Sequence, residues 1–144
     1  MKTRRSSGRR IDTLDDGKRA MQYLLLVYTD EQLLGKLEPA EYDAHMRHCL
    51  QHADDLEASG KLLAYQQLEP PARAKAVRTR GGQTQVLDGP FAETKEMLAG
   101  FNLVEAESEE DALRMARELP WARYGCIEVR PVRDVAAVRR RVGA

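Results

Sequence analysis

The run MQYLLLVY at residues 21–28 narrows the possible folds of this chain more than any other stretch. It is too short to cross a membrane, which takes roughly 20 apolar residues. Nor does it alternate apolar with polar residues, as a strand with one wet face does. Such a run is expected of a central strand covered on both faces. Something must lie above the sheet, and something else below it.

The following segments supply the upper cover. Residues 33–37 read as a turn-rich connection around Gly35. Pro39 suits the first turn of a helix that runs to about Ser59 and stops at Gly60. Its spacing puts Tyr42, Met46, Cys49, Leu50, Ala53 and Leu56 on one core-facing stripe. KLLAYQQL reads as a second strand and Pro70-Pro71 as a break. AKAVRTR and QTQVLDG read as short strands joined at Gly81-Gly82, where both turn positions can take positive φ. AGFNLVEAE is a further strand. Ser108 followed by Glu109-Glu110-Asp111 is a capped helix start, and that helix carries Ala112, Leu113, Ala116 and Leu119 before Pro120. CIEVRPV is the last strand, ending near Val132.

This order, β-α-β-hairpin-β-α-β, is the ferredoxin-like α+β plan, an antiparallel sheet with two helices on one face. Two helices leave the other face bare, so a homodimer with its sheets packed face to face is expected. The chain divides into a disordered extension at 1–20, a folded domain at 21–133 and a basic tail at 134–144.

Charge is zero overall but unevenly placed. Residues 1–20 hold seven Lys or Arg and three Asp, leaving 16 basic and 20 acidic groups in the remainder. An acidic folded unit argues against nucleic acid as a partner, because phosphate binding needs a basic face. GFNLVEA superficially echoes the strand motif of RNA-recognition domains, yet Leu103 and Ala106 stand where stacking aromatics are needed. The two cysteines, Cys49 and Cys126, make no disulfide framework, and no apolar leader precedes the domain. Both point to a cytoplasmic protein with reduced thiols and no membrane association.

DGPFAETKE at residues 88–96, taken with YLLLVY, QLEPPARAKAVR and IEVRPV, resembles the YCII-related family in its DGPF-containing branch. The similarity runs from about Met21 to Val132. It implies a dimeric ferredoxin-like α/β barrel and supplies no established reaction. It also implies, for some members, a His-Asp pair formed by a helical His and an Asp just before a Pro. Here Cys49 stands at the first position, beside His48, and Leu119 precedes Pro120.

Chemistry is sought at three places. Asp88, Thr94, Lys95 and Glu96 crowd one loop, where they suit a polar or anionic small molecule, with Asp88 handling a proton. The alternative is a turn pinned by an ion pair. His45, His48 and His52 form a helical stripe able to serve as general base (His48) or ligand contacts. With no HExxH pattern and no Cys in register, neither a metal nor a cofactor is expected. Arg130 shares a strand face with Glu128, suited to forking onto a carboxylate or pairing with Glu128 itself. The function expected is binding or transformation of a small polar or anionic molecule near the 88–96 loop. The competing reading is a non-catalytic regulatory or interaction module on a dimeric barrel.

Overall fold

The computed structural model describes residues 21–89 and 95–144; the extension at 1–20 and the loop residues 90–94 lie outside the described residues. The apolar run opens strand β1 (Met21–Asp30), followed by a helical turn α1 (Glu31–Leu34) and the long helix α2 (Pro39–Ala58). Strands β2 (Leu62–Gln67), β3 (Lys75–Arg80), β4 (Gln83–Asp88) and β5 (Glu96–Ala106) come next. Helix α3 (Glu109–Arg117), strand β6 (Gly125–Pro131) and helix α4 (Val135–Val142) complete the order.

Local signals set the helix ends. Asp30 caps α1 by accepting from the Gln32 N–H at 2.9 Å, so the expected loose connection begins as a helical turn. In α2, Pro39 occupies the first turn, and Glu41 reaches back to the Glu38 N–H at 3.1 Å. Gly60, with φ 79°, lets Lys61 N–H return to the Leu56 carbonyl and stop the helix. Ser108 caps α3 as expected, its hydroxyl accepting from Asp111 N–H at 3.1 Å.

Four strands form one antiparallel sheet in the order β2-β5-β1-β6. This is the order two interleaved βαβ halves give, with β1 internal as its composition demands. Along β1, Tyr23, Leu25, Val27 and Thr29 are buried and the intervening residues are not. The buried side meets Ala53 and Leu56 of α2 and Ala112, Met115 and Ala116 of α3 in a single core cluster with Trp121.

Among the described residues the sheet of one chain is open, with β2 and β6 each having only one neighbour in it. β6 is thus an edge strand, and Arg130 is exposed and ion-paired to Glu128 at 3.7 Å, one of the two roles expected of it. Two departures from the sequence reading have physical causes. On α2 the buried face includes His52 and leaves Leu50 40% exposed, a stripe rotated from the purely apolar one. The Arg-rich segment after residue 134 is helical, capped by the Asp134 side chain on Ala137 N–H at 3.1 Å.

β3 and β4 form a separate two-stranded ribbon, turning at Gly81 and Gly82 with φ 58° and 78°. In the main sheet Val27 pairs with Gly100 and Tyr28 with Leu98, so Ala99 is passed over in a β-bulge.

Candidate functional site

Between α2 and the sheet the packing opens into a cleft of about 110 Å³. Helix α2 contributes Tyr42, Met46 and Cys49, and the turn at Pro120–Tyr124 contributes Trp121. β1 gives Val27 and Thr29, β2 gives Tyr65, and β5 gives Ala99, Gly100 and Asn102. Tyr42 and Trp121 pack with ring centroids 5.6 Å apart, tilted by 42°. The cleft is walled by these aromatics and floored by the Val27–Gly100 cross-strand pair. Gly100 has no room for a side chain, since a Cβ there would lie 2.6 Å from the Gln66 carbonyl oxygen.

Two polar side chains stand out. Thr29 and Asn102 are each only 7% exposed, and both line the cleft. Their polar atoms are not sealed in the core without a partner but face the cleft. Gln67, opposite Gly100, adds a third polar side chain to the lining, its amide nitrogen 3.3 Å from Met46 Sδ.

Cys49 also faces the cleft. Burial pushes its thiol pKa up, and a hydrogen bond from the Trp121 indole N–H only partly offsets that. It is therefore a weak nucleophile at neutral pH.

The three histidines fall outside the cleft lining. His45 Nε2 lies 2.9 Å from the Tyr124 hydroxyl. His48 Nε2 donates to the Glu118 carbonyl at 3.2 Å, and His52 Nε2 meets the Glu118 carboxylate at 3.1 Å. His48 and His52 thus tie α2 to the residue that follows α3. Among the described residues no group of three or more His, Cys, Asp or Glu is placed to hold a metal.

The loop residues are also elsewhere. Asp88 forms an exposed ion pair with Lys75 across the β3–β4 ribbon. Glu96 begins β5 and interacts with Cys126, whose thiol is raised by desolvation and by that carboxylate. Lys95 is exposed beside it, Arg130 sits at the β6 edge, and Thr94 lies outside the described residues. The candidates His45, His48, His52, Asp88, Lys95, Glu96 and Arg130 therefore do not converge on one cavity.

Sequence reading passes over Thr29 and Asn102, though a signal for them exists. Both occupy inward positions of central strands, in the series 23-25-27-29 and 100-102-104-106. A polar residue there needs a partner or a ligand.

The described residues contain no helix long and apolar enough to cross a membrane. Fold and site together define a small α+β protein with an open antiparallel sheet, α2 and α3 packed on one face of it, and a cleft beneath the longest helix. Residues 21–136 match the YCII-related domain, and the chain belongs to that family. It is similar to the uncharacterized protein R00369 of Rhizobium meliloti (strain 1021), with 39% identity over 114 residues, 78% of this chain and 92% of that one. Cys49 and Leu119, which stand where the resemblance implies a His-Asp pair, both line the cleft.

Proposed function

We propose that this YCII-related protein binds a small molecule in the cleft beneath α2 and does not transform it by acid–base chemistry. The observation that carries this reading is the lining of the cleft, aromatic and aliphatic for the most part, with Thr29, Gln67 and Asn102 as polar side chains on its sheet side. A few placed polar groups in an apolar cavity is the ordinary composition of a ligand site. Among the described residues lining it, none is Asp, Glu, His, Lys or Arg. Cys49 and Leu119 supply no proton-transfer pair at neutral pH.

The reading also takes the protein as a homodimer. The sheet face away from the helices carries Leu24, Leu26, Tyr28, Phe101 and Leu103, all only partly covered within one chain. A second copy of the same face is the occupant that a two-fold assembly provides.

Trp121 is the single tryptophan of the chain and lines the cleft, so its emission reports occupancy directly. Titrating a library of small aromatic compounds into the full chain is expected to shift that emission for some members. Each bound compound should be recovered chemically unchanged. Cys49→Phe, which fills the cleft from α2, should abolish the shift. Emission that responds to no compound, or equally in Cys49→Phe, would place binding elsewhere. Conversion of a bound compound would overturn the non-catalytic reading.

A further inference from the structure

Among the described residues β3 and β4 pair only with each other. Each strand has six residues, so the ribbon is an arm of roughly 20 Å at about 3.3 Å per residue. A two-stranded ribbon is marginally stable at best when left alone in water.

The register divides its side chains between two faces. Ala76 opposes Leu87 on one of them, and both are half-buried. On the other, Val77 opposes Val86, and these are 70% and 68% exposed, the two barest large hydrophobic side chains among the described residues. Toward the turn they are flanked by Thr79 and Thr84, whose hydroxyls lie 2.7 Å apart. Toward the base they are flanked by the Lys75–Asp88 ion pair. An apolar centre with polar groups around it is the anatomy of a protein–protein contact.

The arm springs from the rim of the uncovered sheet face. At its base Pro70, Pro71 and Ala74 line a surface groove with Met97 and Leu98 at the start of β5. Leu98 is directly opposite Tyr28, so it belongs to the same face as Leu24, Leu26 and Phe101.

The area of the proposed dimer says what lies on the arm. The uncovered face is four strands wide, about 19 Å at roughly 4.8 Å per strand. It is about 23 Å long over the seven residues of β6. Taken as flat, two such faces bury roughly 900 Å² together, short of the ~1,200 Å² at which stable interfaces begin. One ribbon face, about 20 Å by 10 Å, adds roughly 400 Å² with the surface it meets, and a two-fold axis supplies it twice. The whole then reaches about 1,700 Å², the standard size for a specific complex.

We infer that the β3–β4 ribbon is a dimerisation arm, each copy laying its Val77–Val86 face against the other. The inference rests on the face-to-face homodimer, and the measurements let the arm fail while the dimer stands.

The dimer dissociation constant of the full chain is measured by sedimentation velocity over a dilution series. Val77→Lys/Val86→Lys is expected to raise it at least a hundredfold, with far-ultraviolet circular dichroism and Trp121 emission unchanged. Wild-type copies carrying ¹³C at their valine methyls are also mixed with unlabelled copies. Isotope-filtered NOE spectra of that mixture should show Val77 and Val86 methyls in contact with the unlabelled copy, a readout independent of any variant. A wild-type dimer without those contacts would overturn the arm and leave the sheet-to-sheet dimer in place. An unchanged dissociation constant in the folded double variant would overturn it in the same way. A wild-type chain that stays monomeric at micromolar concentration would overturn both.

Discussion

At the scale of single residues, Asp111 shows how one carboxylate can anchor a helix start. It is mostly buried, and burial alone would push its pKa up. Hydrogen bonds from Arg114 at 2.6 Å and from the Glu107 N–H at 3.1 Å, with Lys61 at 3.5 Å, outweigh that and hold it below the usual carboxylate range. A carboxyl with a folded-state pKa below its unfolded one stabilises the fold above about pH 4 and loses that contribution as pH falls further. Arg114 is half-exposed, so solvent screening keeps the benefit modest, at about 1 kcal/mol. Asp111→Asn should therefore lower the urea midpoint at pH 7. The gap from wild type should close progressively below about pH 4. A gap that stays constant down to pH 2 would show that charge is not its origin.

Residues also mark where sequence reading succeeds and where it does not. Ser108, Gly60 and the Gly81-Gly82 turn are legible because each acts through its own neighbours, by capping or by positive φ. Asp88, Lys95 and Glu96 attract attention because charges crowded in a loop look like chemistry. In the fold Asp88 serves a surface ion pair. Asn102 is inconspicuous inside an apolar strand, since its meaning depends on which face of β5 it occupies and on what α2 leaves open above it.

At the scale of elements, the sheet depends on two glycines at close approaches. Gly125 begins β6, where a Cβ would fall 1.9 Å from the Tyr28 carbonyl oxygen. Its φ of 168° is ordinary extended backbone, so the constraint is contact and not conformation. Gly125→Ala must push β6 away from β1 and should cost about 3 kcal/mol, the upper range for overpacking. Hydrogen exchange should show the loss first at the β1–β6 pairing, with β1–β5 protected for longer. Normal protection of β6 in a folded Gly125→Ala protein would contradict the contact. The element order is readable from periodicity alone. The edge position of β6 has a signal as well, in the Glu128, Arg130 and Pro131 it carries, since charge and Pro collect on sheet edges. The helical form of residues 135–142 is not readable in this way, because its arginines read as a solvated tail.

At the scale of the whole molecule, the uncovered sheet face is the surface with the most at stake. MQYLLLVY requires cover on both sides, and among the described residues the core cluster supplies it on one. In the proposed dimer Leu26, opposite Phe101, lies within the shared face. Leu26→Asp should shift the protein from dimer to monomer in sedimentation velocity while far-ultraviolet circular dichroism stays unchanged. A wild-type chain that sediments as a monomer at micromolar concentration would remove the face-to-face assembly.

The bulge at Ala99 bears on which changes of length this fold can accept. Removing any one residue from 100–106 would turn part of β5 inside out, since facing alternates with every position. Removing Ala99 would not, because the strand on either side of it already keeps the register of an uninterrupted ladder. It would, however, delete part of the cleft wall and the carbonyl that accepts from Leu68 N–H at 2.8 Å. Ala99 is thus the place in β5 where one codon can be lost with the sheet intact, and the cleft would bear the change.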